Sequence, residues 1–234
     1  MTKYRKIASF KDCAEFQEYL QSKNIALPLD EALLPPERSP MNTALECYGQ
    51  RIGNRWCILP MEGWDCQPDG APSELTRRRW LNFARSGAKL LFGCEACAVM
   101  ASGKSNTRQL LLNRRTLPAI SNLRAELELE HARLFGGAED LMIGLQLTHS
   151  GRYSHPHDDR KLESVTAYSH PFLDRKFNNS AANVVSDEQV EEIIAHFIQA
   201  AGLAQEAGFS FVDIKMAHGY LGHEFLSARS RPGK

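Results

Sequence analysis

The 234-residue sequence has no net charge, no long hydrophobic run and no glycine-rich phosphate loop, and its cysteines are few. Its 28 lysines and arginines cancel its 28 aspartates and glutamates, so there is no basic excess to hold nucleic acid or an anionic membrane surface. No stretch approaches the roughly 18 apolar residues of a membrane span. The opening "MTKYRKIASFKDCAEF" lacks the apolar centre of a secretory signal. Six cysteines, Cys13, Cys47, Cys57, Cys66, Cys94 and Cys97, are too sparse for a disulfide framework. Reduced thiols in a cytoplasmic protein are the expectation. H-E-x-x-H is also missing, which removes the usual helical zinc pair.

What is present is 43% hydrophobic residues, enough for a real core, in a pattern that alternates strand and helix. Residues 9–22 predict a short amphipathic helix capped by Ser9, with Phe10, Cys13, Phe16 and Leu20 at helical spacing. Residues 26–42 hold four of the eleven prolines and predict an extended linker, so 1–42 form an extension to the main domain. "LECYGQRIGNRW" predicts a small hairpin. Strands follow at 56–61, 89–99, 141–149 and 211–217, and helices at 73–87, 119–137 and 187–207. The last helix is signalled best, by a capping box of Ser186 and Gln189, a buried stripe of Val190, Ile193, Ile194, Phe197 and Ala201, and a stop at Gly208.

Strands apolar enough to be covered on both sides, alternating with helices, predict a parallel α/β sheet. No G-x-G-x-x-G follows any strand, which speaks against a dinucleotide-binding doubly wound sheet. Polar residues gather instead where strands end: Glu62, Glu95, His149, Lys215 and His218. That is the placement expected of a (β/α)8 barrel, whose chemistry sits at the C-terminal ends of its strands.

"HPHDD" offers His155, His157, Asp158 and Asp159 as metal ligands, but in a long polar loop where histidines are usually solvated. Cys94 and Cys97 imitate a C-x-x-C motif, yet in a strand they point to opposite faces and serve as core thiols. In "IKMAHGYLGHEF", a histidine and a tyrosine two residues apart follow a strand. There they can either polarise and protonate a ligand or simply pack and cap. The segment 150–185 is far longer than an ordinary connection and is aromatic, with Tyr153, Tyr168, Phe172 and Phe177. Those features favour a lid over a site.

The motifs "GNRWCILPMEGW", "GAKLLFGCEACAV", "GLQLTHSGR" and "QAAGLAQEAGFSFVDIKMAHGYLGHEFLS" occur in the order found in the old yellow enzyme family. From about residue 43 to 234, the sequence resembles these FMN-dependent NAD(P)H:flavin oxidoreductases. The resemblance implies a (β/α)8 TIM barrel with FMN at its C-terminal mouth. It places Leu59, Pro60, Met61 and Glu62 beside the flavin, Ala96 against it and Gln146 on its pyrimidine edge. Trp64 would shape the substrate pocket. His218 would polarise the acceptor, and Tyr220 would donate the proton when hydride passes to an activated alkene; NADH or NADPH would be the reductant. Lys215 stands where the family generally has histidine. It would bind an oxyanion or substrate carboxylate, or pair with Glu62 across the mouth.

Only about four of eight βα units are expected here, so the sequence resembles the family's N-terminal half. The other half would carry the phosphate-binding region and, in some branches, an iron–sulfur motif. Such a half would bind FMN weakly and tend to associate, with another copy or with a complementing C-terminal half. Its partner otherwise is a small-molecule substrate. Two other functions stand beside this one: a non-catalytic half-barrel acting as an interaction module, and a metal-dependent hydrolase using His155, His157 and His218.

Overall fold

A computed structural model describes residues 4–177 and 183–231. The chain divides into two compact units, Met1–Asn42 and Thr43–Lys234.

The first unit has one α-helix, α1 (Cys13–Ser22), and 3-10 turns at Ile7–Ser9, Pro36–Arg38 and Pro40–Asn42. Asp12 caps α1, accepting from the Glu15 amide at 2.9 Å. The expected cap, Ser9, instead donates to the Lys6 carbonyl at 2.7 Å and closes the preceding turn. Phe10 gathers the Phe16 and Tyr19 rings at 5.0 and 5.1 Å. Of the predicted stripe Leu20 alone is buried, and Cys13 is exposed.

The second unit opens with a hairpin of β1 (Leu45–Cys47) and β2 (Gln50–Ile52). Its two-residue turn holds Tyr48 at φ 49° and Gly49 at φ 75°, the paired positive values that match the twist of two antiparallel strands. Then come β3 (Cys57–Ile58), α2 (Glu74–Arg85), β4 (Leu90–Leu91), β5 (Ala96–Ala98), α3 (Leu117–Phe135) and β6 (Met142–Thr148). The chain continues through β7 (Val165–Thr166), α4 (Pro171–Lys176), β8 (Asn183–Val184), α5 (Asp187–Glu206), β9 (Phe211–Ile214) and α6 (Leu221–Ser227).

β3, β4, β6 and β9 run parallel in sequential order. The single strand predicted over 89–99 is broken into β4 and β5, both paired with β6. Leu91 pairs with Ile143 and Ala96 with Gln146, so five steps on one strand meet three on the other. The two extra residues form a bulge at 92–95 that keeps its ladder: Cys94 donates to Gly144 and Gln146 donates to Glu95, each at 3.2 Å.

On β6 the alternation Ile143, Leu145, Leu147 faces the helices, packing with Trp80 of α2, Ile120 of α3 and Leu203 of α5 in the main core. The opposite face is not covered as the sequence suggested, since Leu59 is 67% and Phe92 37% exposed. This is the inner face of a half-barrel. The capping box of Ser186 and Gln189 forms as expected. The buried stripe of α5, however, runs through Ile193, Ala200, Leu203 and Ala204, leaving Ile194 45% exposed. Ile194 lines an open apolar groove of about 380 Å³ with Phe197, Ile214, Met216, Leu221 and Phe225.

The long connection 150–185 is partly ordered into β7, α4 and β8, with 178–182 outside the described residues. Arg152, fully buried, anchors it: Nε donates to Glu224 at 2.5 Å, Nη1 to Asp174, and Nη2 to the Tyr168 carbonyl at 3.0 Å. Gly151 lies so close to α6 that a Cβ there would sit 2.7 Å from the Leu221 nitrogen. Among the described residues, no helix is long and apolar enough to cross a membrane.

Candidate active site at the C-terminal ends of the strands

β3 runs into Leu59–Trp64 and β9 into Lys215–Tyr220. The second turn is tied at both ends to the continuation of β6, by Lys215 N–H to Leu147 O at 3.0 Å and Leu221 N–H to His149 O at 3.2 Å. This brings together side chains more than 150 residues apart. Lys215 Nζ donates to Glu62 Oε1 at 2.5 Å, and the Tyr220 hydroxyl donates to Glu62 Oε2 at 2.9 Å. The ammonium also lies 4.2 Å from the centre of the Tyr220 ring. The pairing expected between Lys215 and Glu62 is therefore made, with the two side chains only 7% and 9% exposed.

Two further donors reach Glu62 Oε2: Ser105 Oγ at 2.6 Å and Trp64 Nε1 at 3.2 Å. Burial disfavours the Glu62 charge, but donation from Lys215, Ser105 and Tyr220 outweighs it and holds the carboxyl below its ordinary range. Tyr220 moves the other way: burial, followed by the Glu62 charge, pushes its phenol above the usual range. Sequence inspection missed Ser105. It lies in a polar loop 43 residues from Glu62, positioned by its own amide donating to Gln109 Oε1 at 2.6 Å. Gln109 in turn donates to Ala96 O at 2.8 Å.

The Glu62–Trp64 loop is clamped from below. Glu95 is fully buried and accepts from Gly63 N–H at 2.7 Å, while Arg79 bridges Glu95 and Asp65 at 2.7 and 2.8 Å. A Cβ at Gly63 would come within 1.9 Å of the Arg79 guanidinium, so a larger residue would push that side chain off Glu95 and Asp65. Burial raises the Glu95 carboxyl from its ordinary 4.5 to about 7 despite the pull of Arg79 and the Gly63 amide. Between pH 4.5 and about 7, the folded chain then holds a proton that the unfolded chain has lost, so this group's contribution to stability falls as pH rises. Glu95→Gln is expected to flatten that decline in urea midpoints across the same interval; parallel pH profiles would count against Glu95 as its source.

Leu59 and Met61, in the segment that continues β3, are 67% and 60% exposed. Pro60 lies between them, and the Met61 carbonyl accepts from Ala96 N–H at 3.1 Å. Gln146 faces its register partner Asp213 and donates to it at 2.6 Å. Ala96 is 1% exposed and so presents no open surface. His218 is exposed at φ 60°, its ring edge-on to Tyr220 at 6.3 Å. Trp64, half exposed, also has a positive φ of 51°. Both are conformations that a non-glycine residue adopts at a cost. His223 belongs to α6, where its Nδ1 accepts from Gly219 N–H at 2.8 Å. Tyr153 of the long connection reaches the Tyr220 ring at 6.0 Å.

The alternative metal site does not assemble. His155 faces the Tyr153 carbonyl and exposed His157 faces Glu163, both at 3.0 Å. No group of three or more His, Cys, Asp or Glu residues able to hold a metal forms among the described residues.

The sequence profile of the NADH:flavin oxidoreductase / NADH oxidase family matches residues 50–231. The chain belongs to that family. Similar proteins include the NADPH dehydrogenase of Listeria welshimeri, 32% identical over 180 residues that make up 75% of this chain and 48% of the relative. The NADPH dehydrogenase of Bacillus subtilis is 43% identical over 90 residues, 38% of this chain and 24% of the relative. Among solved structures, morphinone reductase in complex with tetrahydroNAD superposes with a TM-score of 0.61 at 18% identity, covering 83% of this chain and 54% of that one. Old yellow enzyme from Pichia sp. AKU4542 gives 0.59 at 18%, covering 80% and 48%. The family fold is thus the barrel expected, and this chain's four parallel strands form part of it. The chain spans about half the length of the Listeria relative.

The inner face fits the family's flavin. Leu59 and Met61 offer apolar surface for a flat ring, and the Gln146 amide, with Asp213 beside it, offers a hydrogen-bonding edge.

Proposed function

We propose that the chain carries the substrate-facing part of an FMN-dependent oxidoreductase that takes hydride from NAD(P)H and reduces an activated alkene or related small acceptor. The observation that carries this is the convergence of Lys215, Glu62 and Tyr220 beside the inner face, within the family match. FMN, when bound, supplies the hydride chemistry. Leu59, Met61 and Gln146 hold and orient its ring. His218, exposed at the mouth, donates a hydrogen bond to the acceptor's oxygen. Tyr220 delivers the proton to carbon, exchanging its bond to Glu62 for the acceptor. Lys215, 4.2 Å from the ring centre, then stabilises the phenolate left behind. Lys215 is not a free cation waiting for a substrate carboxylate, because Glu62 already matches its charge. Six unpaired cysteines suit a reducing compartment such as the cytoplasm.

Titrating the purified chain with FMN is expected to give a weak, saturable change in the flavin's visible spectrum, lost in Gln146→Leu. NAD(P)H should then bleach the bound flavin. No saturable change, or one that Gln146→Leu leaves intact, would sink the assignment.

A further inference from the structure

Glu62 is surrounded by donors from two separate segments besides its own. Lys215 and Tyr220 come from the turn between β9 and α6, Ser105 from the loop after β5, and Trp64 from two residues along the loop that bears Glu62 itself. Three of these donors reach Oε2 and one reaches Oε1. A carboxylate has about four lone-pair positions to fill, so this one is close to saturated by protein groups alone. The carboxylate cannot easily swing away. Its loop is fixed one residue on by Gly63 N–H to Glu95, and Glu95 is held by Arg79. Among the groups in contact, Lys215 and Glu62 are the charged ones, and they cancel.

We propose that Lys215, Ser105, Tyr220 and Trp64 form a carboxylate-binding hole that the protein's own Glu62 fills, so that the mouth refuses anionic ligands and takes acceptors whose activating group is neutral. The exclusion follows from charge and space. A second carboxylate has to displace a tethered one from its donors or lie beside it in a buried setting, where two like charges repel. The substrate class rests on the acceptor site proposed above; the filled hole does not.

Glu62→Ala removes the internal occupant and leaves the donors. Sodium formate, with sodium chloride at equal ionic strength as control, is expected to raise the thermal midpoint of this variant by about 3 °C at tenfold its half-saturating concentration. Wild type and Glu62→Gln, in which the hole is full, should show no formate-specific shift. Benzoate, an anion of acceptor size, should behave likewise. No formate-specific shift in Glu62→Ala, or an equal shift in wild type, would overturn the proposal.

If Glu62→Ala does not fold, the isosteric Glu62→Gln gives an independent measure. By NMR of isotope-labelled tyrosine at neutral pH, the Tyr220 ring signals, assigned with Tyr220→Phe, should move in Glu62→Gln once the charge that its hydroxyl donates to is gone. Unmoved Tyr220 signals would overturn the proposal too. A formate response in a chain that binds no FMN would keep the filled hole and sink the flavin assignment. FMN binding without a formate response would do the reverse.

Discussion

Replacing Arg152 with alanine is expected to lower the unfolding free energy by about 3–5 kcal/mol, the usual consequence of removing one partner from a buried ionic cluster. The guanidinium is fully buried between Glu224 and Asp174, whose side chains are 5% and 15% exposed. Without it, two carboxylates remain in a dry setting with no cation between them. Glu224 would keep its bond from the Ala167 amide, 3.0 Å from Oε2, but that single donor cannot replace the forked guanidinium. Arg152→Lys should recover only part of the loss, since a point charge cannot serve Glu224, Asp174 and the Tyr168 carbonyl at once. Urea denaturation with an unchanged m-value would measure both. A loss below about 1 kcal/mol, the ordinary worth of a surface pair, would mean that the cluster is far wetter than its geometry implies.

Tyr220→Phe should slow acceptor reduction by about 10²–10⁴-fold, the range for a positioned general acid, in chain saturated with FMN. The step in which NAD(P)H bleaches the flavin should keep its rate. The ring stays, with Lys215 above it, so folding should be little affected, and a thermal midpoint near that of wild type checks this. Stopped-flow measurement of the two half-reactions separates the outcomes. Equal acceptor rates in both proteins would remove Tyr220 as the proton donor, and equal losses in both steps would point to a disturbed flavin site.

Much of the fold was legible because its signals are local. The capping box at Ser186 and Gln189, the turn at Tyr48–Gly49 and the apolar alternation of Ile143, Leu145 and Leu147 each depend on residues close in sequence. What was illegible depends on distance. Nothing near Ser105 or Glu95 shows that one will cap a carboxylate and the other clamp the loop bearing it. Nothing in "GRYS" announces that Arg152 will meet Glu224 72 residues later. The bulge at 92–95 is equally hidden, since only the partner strand reveals that two residues are surplus. The pairing of Glu62 with Lys215 was foreseeable only because two unlike charges stood at the ends of strands that a barrel brings together. Helix α5 departs from its expected stripe: Ile193 is buried, Val190, Phe197 and Ala201 are half-buried, and Ile194, which continues the stripe in sequence, lines the open groove instead.

β6 is flanked on one side by β4 and β5 and on the other by β9. The turn bearing Lys215, His218 and Tyr220 hangs from the end of β6 and the residue beyond it by a backbone hydrogen bond at each end. In amide exchange, such a turn should open with the central strand rather than with the surface loops around it, so its protection factors should track those of Leu145 and Leu147. Lys215 and Tyr220 would in effect belong to that strand's opening unit, while Glu62 belongs to the loop after β3. Any adjustment at the mouth would then fall to the 150–177 connection, whose Tyr153 ring reaches Tyr220 at 6.0 Å.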